Sequence, residues 1–166
     1  GIFFRSFIVI SFCEELVKWL FTYVICWKDK NFNYVYDAIV YCVFISLGFA
    51  SVENLIAILS NSGGFALALQ RGLITVPAHA FFGIISGYYL GLAKKYEARR
   101  WNKKKRKYII LSLLIPIIVH GMFDSLLFLS STASLLFATA LIVYLYLSSA
   151  LKVVKTSSEA KKITRR

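Results

Sequence analysis

Residues 72–93 and 125–151 contain no Asp, Glu, Lys or Arg. Each run is long enough to cross a bilayer as a helix, which takes about 20 residues. Both are far too long for membrane strands of about 9–11 residues. A chain of 166 residues that is 58% hydrophobic exceeds the apolar share of ordinary soluble domains and has room for one domain. The expected fold is therefore all-α, a polytopic membrane helix bundle of about five transmembrane helices. The expected spans are about 2–27, 37–59, 65–93, 108–129 and 133–151, forming one bundle over residues 1–151. Trp27-Lys28-Asp29-Lys30-Asn31 closes the first span with an interfacial margin. Asn61-Ser62-Gly63-Gly64 and Ser130-Ser131-Thr132 read as short turns.

The net charge of +12 is concentrated. Residues 94–107 hold nine Lys/Arg against Glu97 alone, and the tail 152–166 holds six against Glu159. Such clusters occur in nucleic-acid-binding chains. Beside apolar spans they read as cytoplasmic anchors that attract anionic lipid, with no nucleic-acid partner. A cytoplasmic 94–107 loop puts the chain's N-terminus outside and its C-terminus in the cytoplasm. Cys13, Cys26 and Cys42 fit no metal-binding spacing and read as small buried residues. The chain opens on Gly1 rather than Met and reads as a fragment or a processed form.

Against this background Glu14-Glu15-Leu16-Val17-Lys18 is out of place. A charge at the centre of a membrane helix costs about 2.5–3.5 kcal/mol on insertion scales. Counted from the cytoplasmic ends at ~1.5 Å per residue, Glu14 lies ~20 Å deep, Glu53 ~24 Å, His79 ~21 Å, His120 ~18 Å and Asp124 ~24 Å. Four helices thus bring ionisable groups to one slab. Glu14 and Lys18 share a helix face, and two adjacent carboxylates resist ionising together. An ion pair that merely stabilises the helix leaves the second glutamate unexplained. Glu53 and Asn54 suit a hydrogen bond to a neighbouring helix, a water or a substrate amide. Gly83, Gly87 and Gly91 form a small-residue stripe that allows close helix approach, and His79 lies one turn before it. His120 and Asp124, four residues apart, can interact so that the carboxylate orients the ring. Structural hydrogen bonding accounts for either histidine taken singly; their common depth favours a site.

Glu14-Glu15-x-x-Lys18 resembles the EExxK motif of the PrsW family of intramembrane proteases, and Phe49-x-x-x-Glu53-Asn54 resembles its FxxxEN motif. His79 and His120-x-x-x-Asp124 are similar to its later histidine motifs. The related CAAX-prenyl endoproteases and bacteriocin-immunity membrane proteins differ, with EExxxR and a histidine where Glu53 stands. The resemblance implies proteolysis of a membrane-embedded substrate, such as a membrane-anchored anti-sigma factor. In that chemistry Glu14 activates a water, and Glu15, paired with Lys18, tunes it; the sequence equally allows the two glutamates to exchange these roles. His79 or Glu53 fixes the water, and His120, oriented by Asp124, donates to the oxyanion. Asn54 supports Glu53.

No cofactor is required by the spacing, and there is no HExxH. A zinc ion held by Glu14, Glu53, His79 and His120 is the alternative. The same charges also suit a non-enzymatic transporter, ion relay or immunity-type binding protein, although a relay would string them along a path.

Overall fold

The computed structural model describes residues 1–61, 64–158 and 163. Its first helical run comprises α1 (Ile2–Phe4), a π-helical stretch (Arg5–Phe12) and α2 (Cys13–Cys26). Four longer helices follow: α3 (Val35–Ser60), α4 (Gly64–Ala98), α5 (Asn102–Leu129) and α6 (Thr132–Ser158). No strand occurs among the described residues. All four long helices are long and apolar enough to cross a membrane. The chain is therefore a helical, multi-pass membrane bundle.

The first run is helical over nearly the whole expected span, but its register changes within it. Ser6, Ser11, Glu15, Lys18, Thr22 and Cys26 are buried. From Ser11 onward the spacing of three or four suits an α-helix. The step of five from Ser6 to Ser11 suits the wider π turn. Glu15 therefore lies on the inward stripe, and Glu14 lies beside it.

The helix ends differ from the expected ones for identifiable reasons. α3 begins at Val35, ahead of Asp37, because the Asp37 carboxylate accepts the backbone N–H groups of Asn33 (2.7 Å) and Tyr34 (2.8 Å). Asp37 thus caps the helix from inside its first turn. Residues 94–107 are not a loop. α4 continues to Ala98, and Arg100 takes a left-handed conformation (φ 58°). The Trp101 N–H returns to the Tyr96 carbonyl at 3.0 Å, and α5 starts at Asn102. Charge repulsion does not melt these ends. Glu97 meets Lys105 (2.5 Å) and Lys94 (3.4 Å), while Lys104 lies 4.5 Å from the Trp101 ring centroid. α6 likewise runs beyond Leu151 to Ser158, so the basic tail begins as helix. Ser62, Gly63, Glu159 and the basic residues Lys161, Lys162, Arg165 and Arg166, which figure in the expected turn and tail, lie outside the described residues.

α3 and α4 form the closest pair. A Cβ built on Gly83 would lie 2.8 Å from Ser46 Oγ, and one on Gly87 only 2.5 Å from Ile39 Cα. The small-residue stripe therefore brings two backbones into contact. Phe65, Leu59, Phe44 and Leu136 project outward, whereas His79, His120 and Ser112 are buried. That inversion suits a lipid solvent. At one end Trp27, Phe32, Ala38, Cys42, Leu90 and Ala93 pack together, with Lys94 Nζ donating to the Trp27 carbonyl at 2.5 Å.

Candidate active site

The ionisable groups of four helices meet in one cluster. Glu15 (3% exposed), Lys18 (4%), His79 (2%) and His120 (3%) are buried, so each must be satisfied by protein. Lys18 Nζ donates to Glu15 Oε1 and lies 3.0 Å from His79 Nδ1. It is 3.9 Å from Glu14 Oε2 and 5.0 Å from the centroid of the Phe49 ring. The tight partner of Lys18 is thus Glu15, as the inward stripe of α2 requires.

His79 Nε2 stands 2.9 Å from Glu53 Oε2. An ammonium can only donate, so His79 Nδ1 accepts from Lys18, and Nε2 carries the proton and donates to Glu53. The other Glu53 oxygen, Oε1, accepts from Arg71 Nη2 at 2.5 Å. Arg71 Nε donates to Asn54 Oδ1 at 2.7 Å, so Asn54 supports Glu53 through an arginine. Arg71, which interrupts the third apolar span, joins the site without belonging to any expected set. Its position in an apolar run, two turns before His79, was the available signal.

His120 Nδ1 donates to Glu15 Oε1 at 2.8 Å. Its Nε2 lies 3.4 Å from Asp124 Oδ2 and 4.0 Å from Glu14 Oε2. Phe82 stacks on the His120 ring with centroids 4.7 Å apart. The two histidine rings approach to 5.3 Å, edge to face. Beneath His120 the α5 stripe continues through the buried Pro116 and Ser112, and Ser112 accepts from Trp19 Nε1 at 2.7 Å. Gly121 lets α5 meet the π-helical stretch: a Cβ there would lie 2.5 Å from Phe7 Cδ1.

Glu14, Glu53, Arg71, His79, His120 and Asp124 border a cavity of about 160 Å³, closed in part by Phe82, Phe123 and Phe128. It has room for several waters. The Glu14 side chain is 18% exposed, and its Oε2 is buried without a hydrogen-bond partner, with Lys18 Nζ at 3.9 Å and His120 Nε2 at 4.0 Å. A carboxylate beside a polar cavity with an oxygen that accepts no hydrogen bond keeps acceptor capacity for water or substrate.

Glu14, Glu53 and His79 each offer one donor atom, all within 4.8 Å of one another. Two carboxylates and an imidazole lie within the ligand range of zinc. The protonation pattern does not suit it. A ligating histidine turns a lone pair to the metal and usually donates its other N–H to an acceptor. His79 does the reverse, with Nε2–H directed to Glu53 and Nδ1 facing an ammonium. As arranged, these residues do not fit a metal ion, and His120 is outside that trio.

Fold and site together define a polytopic helical membrane protein with carboxylates and histidines buried between its spans around a small polar cavity. The model of the PrsW family of intramembrane metalloproteases matches residues 1–151, and the chain belongs to that family. It is 42% identical over 127 residues to Protease PrsW of Halalkalibacterium halodurans, covering 76% of this chain and 56% of that protein. It is 35% identical over 160 residues to Protease PrsW of Clostridioides difficile, covering 95% and 66%. Protease PrsW of Bacillus subtilis is 38% identical over 127 residues, with 76% and 56% covered. The matched regions thus span between about half and two thirds of the length of these curated relatives. No solved structure matches the chain significantly.

Proposed function

We propose that the cavity hydrolyses a peptide bond of a membrane-anchored protein, with a membrane-anchored anti-sigma factor as one candidate substrate, and that it does so without a resident metal. The observation that carries this is Glu14, which borders the cavity with a side chain 18% exposed and whose Oε2 has no hydrogen-bond partner and lies 4.0 Å from His120 Nε2. Family membership supports the protease class.

In this mechanism a cavity water donates a hydrogen bond to Glu14 Oε2. Glu14 takes that proton as the water oxygen bonds to the substrate carbonyl carbon. The carbonyl π electrons move to oxygen, and His120 in its imidazolium form, with Nδ1–H on Glu15, stabilises the resulting oxyanion through Nε2–H. When the tetrahedral centre collapses, the C–N bond breaks and the amine leaves with the proton held by Glu14. Glu15 fixes His120 through Nδ1, and Lys18 balances Glu15. Asp124 limits the rotation of the ring, and Glu53 and His79 form the facing wall. Groups that act directly in such steps contribute about 10²–10⁴-fold.

The test is cleavage of a co-expressed membrane-anchored substrate. Glu14→Gln and His120→Ala should each fold and lose cleavage by about 100-fold or more. Full cleavage by both variants would falsify the mechanism. A second reading has its own observation, the three donor atoms within 4.8 Å. Under it Glu14, Glu53 and His79 would hold zinc once His79 Nε2 lost its proton, and the metal would supply Lewis acidity. Metal analysis of the purified protein, with a cleavage assay in chelator, separates the two. One metal per chain, required for activity, would displace the metal-free reading.

The basic 94–107 segment is proposed to face the cytoplasm against anionic lipid, with the chain's N-terminus outside.

A further inference from the structure

We propose that Arg71 is a positioning residue that fixes the orientation of Glu53 and, through it, the proton position on His79. This deepens the proteolytic reading above and rests on it only for its kinetic test.

The geometry is that of a clamp. Arg71 on α4 reaches back to α3 with two separate donors, Nη2 to Glu53 Oε1 at 2.5 Å and Nε to Asn54 Oδ1 at 2.7 Å. Glu53 is thereby held through one oxygen and turns the other to His79 Nε2 at 2.9 Å. On the far side of the ring Lys18 holds Nδ1 at 3.0 Å. His79 is thus pinned from both sides, and each contact selects the same tautomer. Of the ionisable groups that border the cavity, Glu53 (31% side-chain exposure) and Arg71 (20%) are the most open, so burial alone does not fix them. Without the clamp Glu53 is free to rotate, and His79 loses the acceptor that keeps its proton on Nε2.

The bland alternative is that Arg71 only neutralises a carboxylate inside a membrane span. The two differ in geometry. Neutralisation needs one positive charge, which lysine supplies. The clamp needs a planar fork that reaches two acceptors at once, which lysine lacks. Arg71→Lys therefore separates them.

The experiment uses the full chain in phospholipid vesicles. Its histidines are labelled with 15N, and a single-span peptide carrying a fluorophore and a quencher serves as the cleavage probe. In the unmodified protein His79 should show one neutral tautomer with the proton on Nε2. In Arg71→Lys it should become a mixture of tautomers, and kcat should fall about tenfold or more while KM stays within about twofold. A single Nε2–H tautomer and unchanged kcat in Arg71→Lys would overturn the proposal. Asn54→Ala removes one anchor without altering charge, so it decides the matter where Arg71→Lys does not fold. It should give the same spectral change with a smaller loss of kcat, and an unchanged spectrum overturns the clamp. If the unmodified protein cleaves nothing, the protease reading fails, while the tautomer change still decides the role of Arg71.

Discussion

At the scale of single residues, the adjacent glutamates of α2 have unlike environments. Glu15 lies on the buried stripe, bound to Lys18 and His120. Glu14 sits one position round the helix, borders the cavity and keeps an oxygen that accepts no hydrogen bond. Their substitutions should therefore fail differently. Glu14→Gln should unfold in denaturing detergent at nearly the same point as the parent while losing cleavage. Lys18→Met leaves Glu15 without its ammonium. Breaking a buried pair on one side costs about 3–5 kcal/mol, so this variant should unfold much earlier in the same titration. Equal stability of the Lys18→Met variant and the parent would show that the pair is not structural.

At the scale of elements, the α3–α4 contact depends on glycines that differ in what surrounds them. Gly87→Ala places a methyl group against the Ile39 backbone, which cannot move aside as a side chain would. A cost of about 1–3 kcal/mol is expected, read as a lower thermal midpoint in detergent. Gly48, inside α3, has nothing within 4 Å of its Cβ position. Gly48→Ala should be neutral or stabilising by up to about 1 kcal/mol, since alanine is the better helix former. A shared midpoint for the two variants would contradict the packing. The π-helical stretch acts on the same scale. It shifts the register just ahead of α2 and so bears on which glutamate points inward.

At the scale of the whole molecule, topology is open to a direct check. Single cysteines introduced at Arg99 and at Ser131, in a background lacking the three natural ones, should label from opposite sides of the membrane with an impermeant maleimide. Labelling of both from the same side would refute the passage of α5 across the bilayer. Labelling at residue 99 from outside intact cells would reverse the proposed orientation.

The sequence by itself determined the solvent, the class and most members of the candidate site. Charge-free runs as long as 72–93 and 125–151 have few stable states other than membrane helices, because lipid cannot satisfy backbone polar groups. Ionisable groups that remain in apolar spans need partners, which marked Glu14, Glu15, Lys18, Glu53, His79, His120 and Asp124 as exceptional. Only the tertiary structure decided who pairs with whom. Periodicity puts Lys18 within reach of both glutamates, and the approach of α4 and α5 ties it to Glu15 and His79. Arg71 lies eighteen residues beyond Glu53 in the chain and meets it only because α3 and α4 fold back on each other. The helical basic segment was equally illegible, since Lys94 and Lys105 meet Glu97 and Lys104 lies over the rings of Tyr96 and Trp101. Helix period and charge cost are properties of one chain segment in its solvent. Pairing depends on the distances between segments, which exist only once the helices have packed.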